Sequence, residues 1–182
     1  LPTSSGGTVA FNTTGNVTIG GAIGNSTGST YGSIITNGVA GNIQVNASLY
    51  AIILNLQTSG GAITSTGAPT LQGNSVTLLS FYDLNVAFPI LPLTTGTSLS
   101  LTSTNGALIL RNIGSSGNAY NTASFSAYGF ITGYGAVYAN NLDFSGNGIA
   151  TYAPFLPTSL GGTVAFNTTG NVTIGGAIGS ST

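Results

Sequence analysis

The sequence predicts an all-β chain wound as a single-stranded parallel β-helix, with about seven rungs of about 22 residues per 155-residue repeat, the scale of a solenoid coil. Three observations predict it. Residues 1–27 read LPTSSGGTVAFNTTGNVTIGGAIGNST and residues 156–182 read LPTSLGGTVAFNTTGNVTIGGAIGSST, differing only at Ser5 against Leu160 and Asn25 against Ser180. Short segments with alternating apolar residues recur along the whole chain, the period-two pattern of half-buried strands. Corners rich in Gly and Asn separate them at a nearly even spacing, and those residues tolerate the positive φ that corners require.

The duplication makes residues 1–155 one complete tandem unit and residues 156–182 the first rung of the next, continuous with the same solenoid. In chain order the strand segments are Thr8 to Phe11, Asn16 to Ile19, Asn42 to Val45, Ser75 to Leu78, Ser98 to Leu101 and Leu108 to Leu110. Corners fall at Thr14-Gly15-Asn16, Gly20-Gly21, Asn37-Gly38, Gly60-Gly61, Asn105-Gly106 and Gly146-Asn147-Gly148. Cutting there yields rungs at 7–27, 28–49, 50–70, 71–97, 98–118, 119–141 and 142–161. A β-sandwich also has short strands at regular spacing. The stacking of Val, Ile, Leu and Ala on copies of themselves, with Asn, Thr and Ser between them, favours the solenoid. Helix is disfavoured because Gly, Asn, Ser and Thr interrupt every few residues.

Two aromatic stretches stand out. Residues 71–97 form the longest rung and contain Phe81, Tyr82, Phe88, Ile90 and Leu91 around Pro89 and Pro92. Proline cannot donate within a central ladder, so this stretch is expected to bulge outwards as a lateral contact or to fold back over the core. A second stretch carries Tyr120, Phe125, Tyr128, Phe130, Tyr134 and Tyr138. Tyr128, Tyr134 and Tyr138 are candidates for lateral contact, weighed against simple packing in the core and its ladders.

Composition removes most chemistry. Only Asp83, Arg111 and Asp143 are charged, net charge is -1, and there is no Lys, His, Cys, Met or Trp. Nucleic-acid binding lacks its basic surface, and isopeptide and disulfide staples lack their residues. Hydrophobic residues make up 41% and mean hydropathy is +0.40, yet no run approaches the roughly 20 apolar residues of a membrane helix. The richness in Val, Ile, Phe and Tyr argues against disorder. Glycoside hydrolysis needs carboxylates roughly 5 to 10 Å apart. Asp83 and Asp143 are nearly three rungs apart, roughly 13 Å at about 4.8 Å per rung. No catalytic residue, cofactor or metal site is expected, since two isolated carboxylates cannot complete a calcium shell. Asp83 and Arg111, a little over one rung apart, are candidates for a structural ion pair. Asn12, Asn16, Asn25 and Asn46 open N-x-S/T triplets, the acceptor pattern for glycosylation, though such triplets also arise from this composition alone. The absence of an initiating Met reads as an excised piece of a longer protein.

The stretch Gly60-Gly61-Ala62-Ile63-Thr64-Ser65-Thr66-Gly67-Ala68-Pro69-Thr70-Leu71-Gln72-Gly73-Asn74-Ser75-Val76-Thr77-Leu78 resembles repeats of large secreted bacterial exoproteins similar to filamentous haemagglutinin-like adhesins. Gly15 to Gly24 has the same character, and the likeness spans about half of the unit. The resemblance implies an extracellular or cell-surface β-helix used in adhesion, biofilm matrix or filament building. Near-absence of charge departs from that family and favours surfaces buried in an assembly. The expected role is therefore structural, a fibre or sheath of units joined head to tail, with the stalk of a large secreted adhesin as the alternative. Expected partners are further copies, end to end and side by side, and a host or neighbouring-cell surface.

Overall fold

A computed structural model describes residues 6–25, 30–94, 97–156 and 162–179. Among the described residues the chain forms strands and no helix, and every pairing between strands is parallel. The result is a β-solenoid of about seven turns with three faces around one apolar core.

The first face stacks Thr8–Asn12, Tyr31–Asn37, Leu49–Gln57, Ser75–Ser80, Ser98–Ser103, Tyr120–Ala127, Val137–Gly146 and Thr163–Thr168. Its register runs Thr8, Ser33, Ile53, Ser75, Ser98, Thr122, Asn141, Thr163. Successive turns are thus about 22 residues apart, a solenoid period, with Thr8 to Ser33 the longest step and Thr122 to Asn141 the shortest. Where the described residues run through a longer turn, as between Ile113 and Thr122, the surplus lies at the corner between the third and first faces. The second face stacks Val17–Ile19, Ile43–Val45, Ile63–Thr64, Leu84–Asn85, Leu108–Leu110, Phe130–Gly133, Gly148–Thr151 and Val172–Ile174. We number the rungs 1 to 8 along this column, rung 8 being the second copy of rung 1.

The third face is narrow and held by a single ladder of backbone bonds. The N–H groups of Ile23, Leu49, Leu71, Ile90, Ile113, Val137 and Phe155 donate to the carbonyls of Ser48, Thr70, Pro89, Asn112, Ala136, Pro154 and Ala177 at 2.9–3.2 Å. Here the structure corrects one expectation. The described residues of 71–97 do not bulge out as a loop. Ile90–Leu91 pairs with Leu71–Gln72, and Phe88 and Ile90 are fully buried. Pro89 is tolerated because the ladder asks this position for a carbonyl and takes its N–H from Ile90. The neighbouring residues Leu91 and Phe81 are half-buried.

Period-two alternation places one apolar column of each strand inside. Ile34, Leu54, Val76, Leu99, Ala123 and Leu142 form one buried column. Leu56, Leu78, Leu101, Phe125 and Phe144 form the next. Phe125 and Phe144 have ring centroids 4.9 Å apart, within the range of favourable aromatic pairs. At the first corner, Gly41 and Gly61 sit so close to the preceding rung that a Cβ would strike the backbone of Gly15 and Gly41 respectively.

Tyr120 is the largest fully buried side chain, and its hydroxyl donates to the Gly73 carbonyl at 3.3 Å. Burial raises its pKa above the ordinary phenol value, because the phenolate would lose its hydration. Its folded pKa therefore exceeds the unfolded one, and its contribution is complete below about pH 10 and lost above it. Urea titrations should show stability falling above pH 10 by up to about 1.4 kcal/mol per pH unit from this group. Tyr120→Phe should remove that part of the slope while leaving the neutral region flat.

Candidate assembly surfaces

The end of the solenoid offers a controlled comparison, because the same sequence occurs in two environments. Strands Thr163–Thr168 and Val172–Ile174 pair with rung 7 as direct continuations of the first and second faces. Phe166 stacks on Phe144 with ring centroids 5.4 Å apart. In rung 1, Val17, Ile19 and Ile23 are 5%, 4% and 4% exposed, and rung 2 lies over them. Their copies Val172, Ile174 and Ile178 are 39%, 38% and 48% exposed, with no rung over them. Rung 1 packs against rung 2 and rung 8 against rung 7, so the two copies meet their neighbours on opposite sides. On the first face Val9 and Phe11 are half-buried like their copies Val164 and Phe166, so the difference is confined to the second and third faces.

Side chains as well as backbone tie the rungs together. Asn16 Oδ1 accepts the Asn42 N–H at 2.8 Å, and Asn42 Oδ1 accepts the Ala62 N–H at 2.9 Å. On the same corner, Asp83 Oδ1 accepts the Ala107 N–H at 2.8 Å. The expected pairing of Asp83 with Arg111 is thus replaced by another arrangement. Asp83 stands where Asn16 and Asn42 stand, and Arg111 lies at the other end of Leu108–Leu110 with its guanidinium 5.0 Å from the Tyr134 ring centre. Asp143 is exposed on the first face, three rungs beyond Asp83. Among the described residues no group of three or more acidic, His or Cys side chains could hold a metal ion. Among the same residues, no helix is long and apolar enough to cross a membrane. Three shallow surface grooves are lined by uncharged residues, for example Ile52, Asn74, Thr94, Asn121 and Thr122.

Of the expected lateral contacts, Tyr82, Tyr128 and Tyr134 are exposed, Tyr138, Phe81 and Leu91 are half-buried, and Phe88 and Ile90 belong to the core. Sequence reasoning missed Phe130, Tyr152, Ile52 and Ile53, all exposed. Phe130 and Thr132 are alternate residues of one strand on the second face, and Tyr134 follows directly after its end. The Phe130 ring lies over Gly148, its register partner, whose missing Cβ leaves the room. Ile52 and Ile53 are adjacent and both exposed between buried Ala51 and Leu54, so the alternation breaks there, and only the unbroken apolar run Ala51 to Leu54 signalled it.

The four triplet asparagines differ in setting. Asn12 and Asn16 are exposed, with Asn12 accepting from Asn37 Nδ2 at 2.8 Å. Asn46 is half-buried and accepts the Thr66 N–H and hydroxyl at 3.1 and 2.9 Å. Asn25 is exposed, and the rest of its triplet lies outside the described residues. With this geometry in hand, comparison with family models, curated proteins and solved structures finds no match.

Two measurements check these surfaces. Hydrogen exchange should be slower in residues 17–23 than in residues 172–178, although the two stretches are identical; peptides extending past Asn25 or Ser180 distinguish the copies by mass. Asp83→Asn should leave stability nearly unchanged because the amide oxygen accepts the same bond. Asp83→Ala should cost about 0.5–1.5 kcal/mol in urea unfolding.

Proposed function

We propose that the chain is a non-catalytic structural element, a segment of an extracellular fibre or sheath in which β-helical units stack head to tail. One observation carries this reading. From Leu156 the sequence returns to its opening residues, and the repeated strand joins the previous unit in register while its rung presents an uncovered apolar face. A further unit would add its rung 2 to that face as rung 2 is added to rung 1.

The three charges do not converge on one place, which supports a non-catalytic role. Their scarcity supports lateral association as well, because low net charge leaves little repulsion between neighbouring rods. Exposed aromatics at Tyr128, Phe130, Tyr134 and Tyr152 supply apolar area for such contacts. The likeness to haemagglutinin-like exoproteins agrees with secretion to the cell surface. Copies of the same chain are the proposed partners.

Chains of one, two and three 155-residue units, imaged by electron microscopy, test the proposal. Length should grow by about 34 Å per unit, seven rungs at about 4.8 Å each. Beads of separate particles joined by linkers would overturn it. Side-by-side bundles in the native material fit a fibre or sheath, whereas single filaments anchored at one end would replace it with an adhesin stalk.

A further inference from the structure

Tyr134 and Tyr152 occupy the same register position on rungs 6 and 7, immediately after Gly133 and Thr151. Their rings are stacked, with centroids 5.6 Å apart and planes 17° from parallel. Both are solvent-accessible, 51% and 60% exposed. The far side of Tyr152 looks onto Gly175, which has no side chain to cover it. The opposite side of Tyr134 is occupied by the Arg111 guanidinium. The chain contains no Cys, Met, Trp or His, so the side chains that usually take up oxidising equivalents are missing. Tyrosine is the oxidisable side chain that remains. The chain also has no Lys, which excludes amine-based staples.

We propose that Tyr134 and Tyr152 form an oxidative cross-linking site, coupled as dityrosine by a peroxidase with hydrogen peroxide. Each phenol gives up one electron and one proton, and the two phenoxyl radicals join through ring carbons next to their oxygens. The hydrogens on those carbons then move to the oxygens and restore two phenols. The electrons and protons reduce hydrogen peroxide to two waters. The guanidinium disfavours loss of an electron from the Tyr134 ring, so oxidation begins at Tyr152. The product clamps rung 6 to rung 7, next to the seam where the following unit starts.

Other exposed tyrosines provide the internal control. Tyr82 and Tyr128 are as accessible, but among the described residues neither has a tyrosine stacked upon it. The 182-residue chain treated with a haem peroxidase and hydrogen peroxide at several protein concentrations should yield a monomer whose mass has fallen by two hydrogen atoms. The yield should be independent of protein concentration, with dityrosine fluorescence and a linked peptide pair containing residues 134 and 152. Tyr134→Phe and Tyr152→Phe, which keep the stacked rings, should each abolish the linked pair, and Tyr128→Phe should retain it. Arg111→Gln should raise the coupling rate. A monomer of unchanged mass accompanied by concentration-dependent dimers through Tyr82 or Tyr128 would overturn the proposal. So would survival of the monomer's mass loss in Tyr152→Phe.

Discussion

Inside a solenoid with three charged side chains, a backbone N–H has few partners other than the carbonyl of the adjacent rung. Leaving such a group unpaired in the interior costs about as much as the lost bond itself. The rung-to-rung hydrogen bond therefore imposes the spacing of about 4.8 Å and with it the parallel register. Columns of like residues follow from that register rather than cause it. Leu56, Leu78 and Leu101 touch because their backbones are locked opposite one another, and the contact then adds apolar burial to the bond.

The same constraint explains which residues are interchangeable at corners. A position needs an oxygen acceptor directed at the next rung's N–H, and Asn16, Asn42 and Asp83 all provide one. A carboxylate there accepts the bond an amide oxygen would, so an acidic residue can hold this place in the ladder. Pro89 and Pro154 satisfy the complementary demand, a carbonyl where no donor is required. Residues that look like interruptions by type are thus fitted to the ladder by position.

Seams between units involve no new physics. Thr163–Thr168 meets rung 7 with the register and the aromatic stacking found between internal rungs, so a junction is one more step of the same stack. A solenoid built this way has no natural stopping point in its interior. Its side faces, where exposed rings gather on rungs 6 and 7, are where chemistry other than stacking has room to act.

Much of this was legible in the residues themselves. The duplication set the 155-residue repeat, and alternation set the strands and their inward columns. Those properties are local or compositional, and a single strand carries them. What tertiary structure alone decided concerns neighbours one whole rung away along the chain, beyond the reach of local pattern. It placed Phe88 and Ile90 in the core and Phe130 and Tyr152 outside, and it separated Asp83 from Arg111. It also gave identical stretches different burial: Val17 is 5% exposed against rung 2 and Val172 39% exposed against rung 7, because burial in a stacked fold depends on which neighbouring rung a side chain meets.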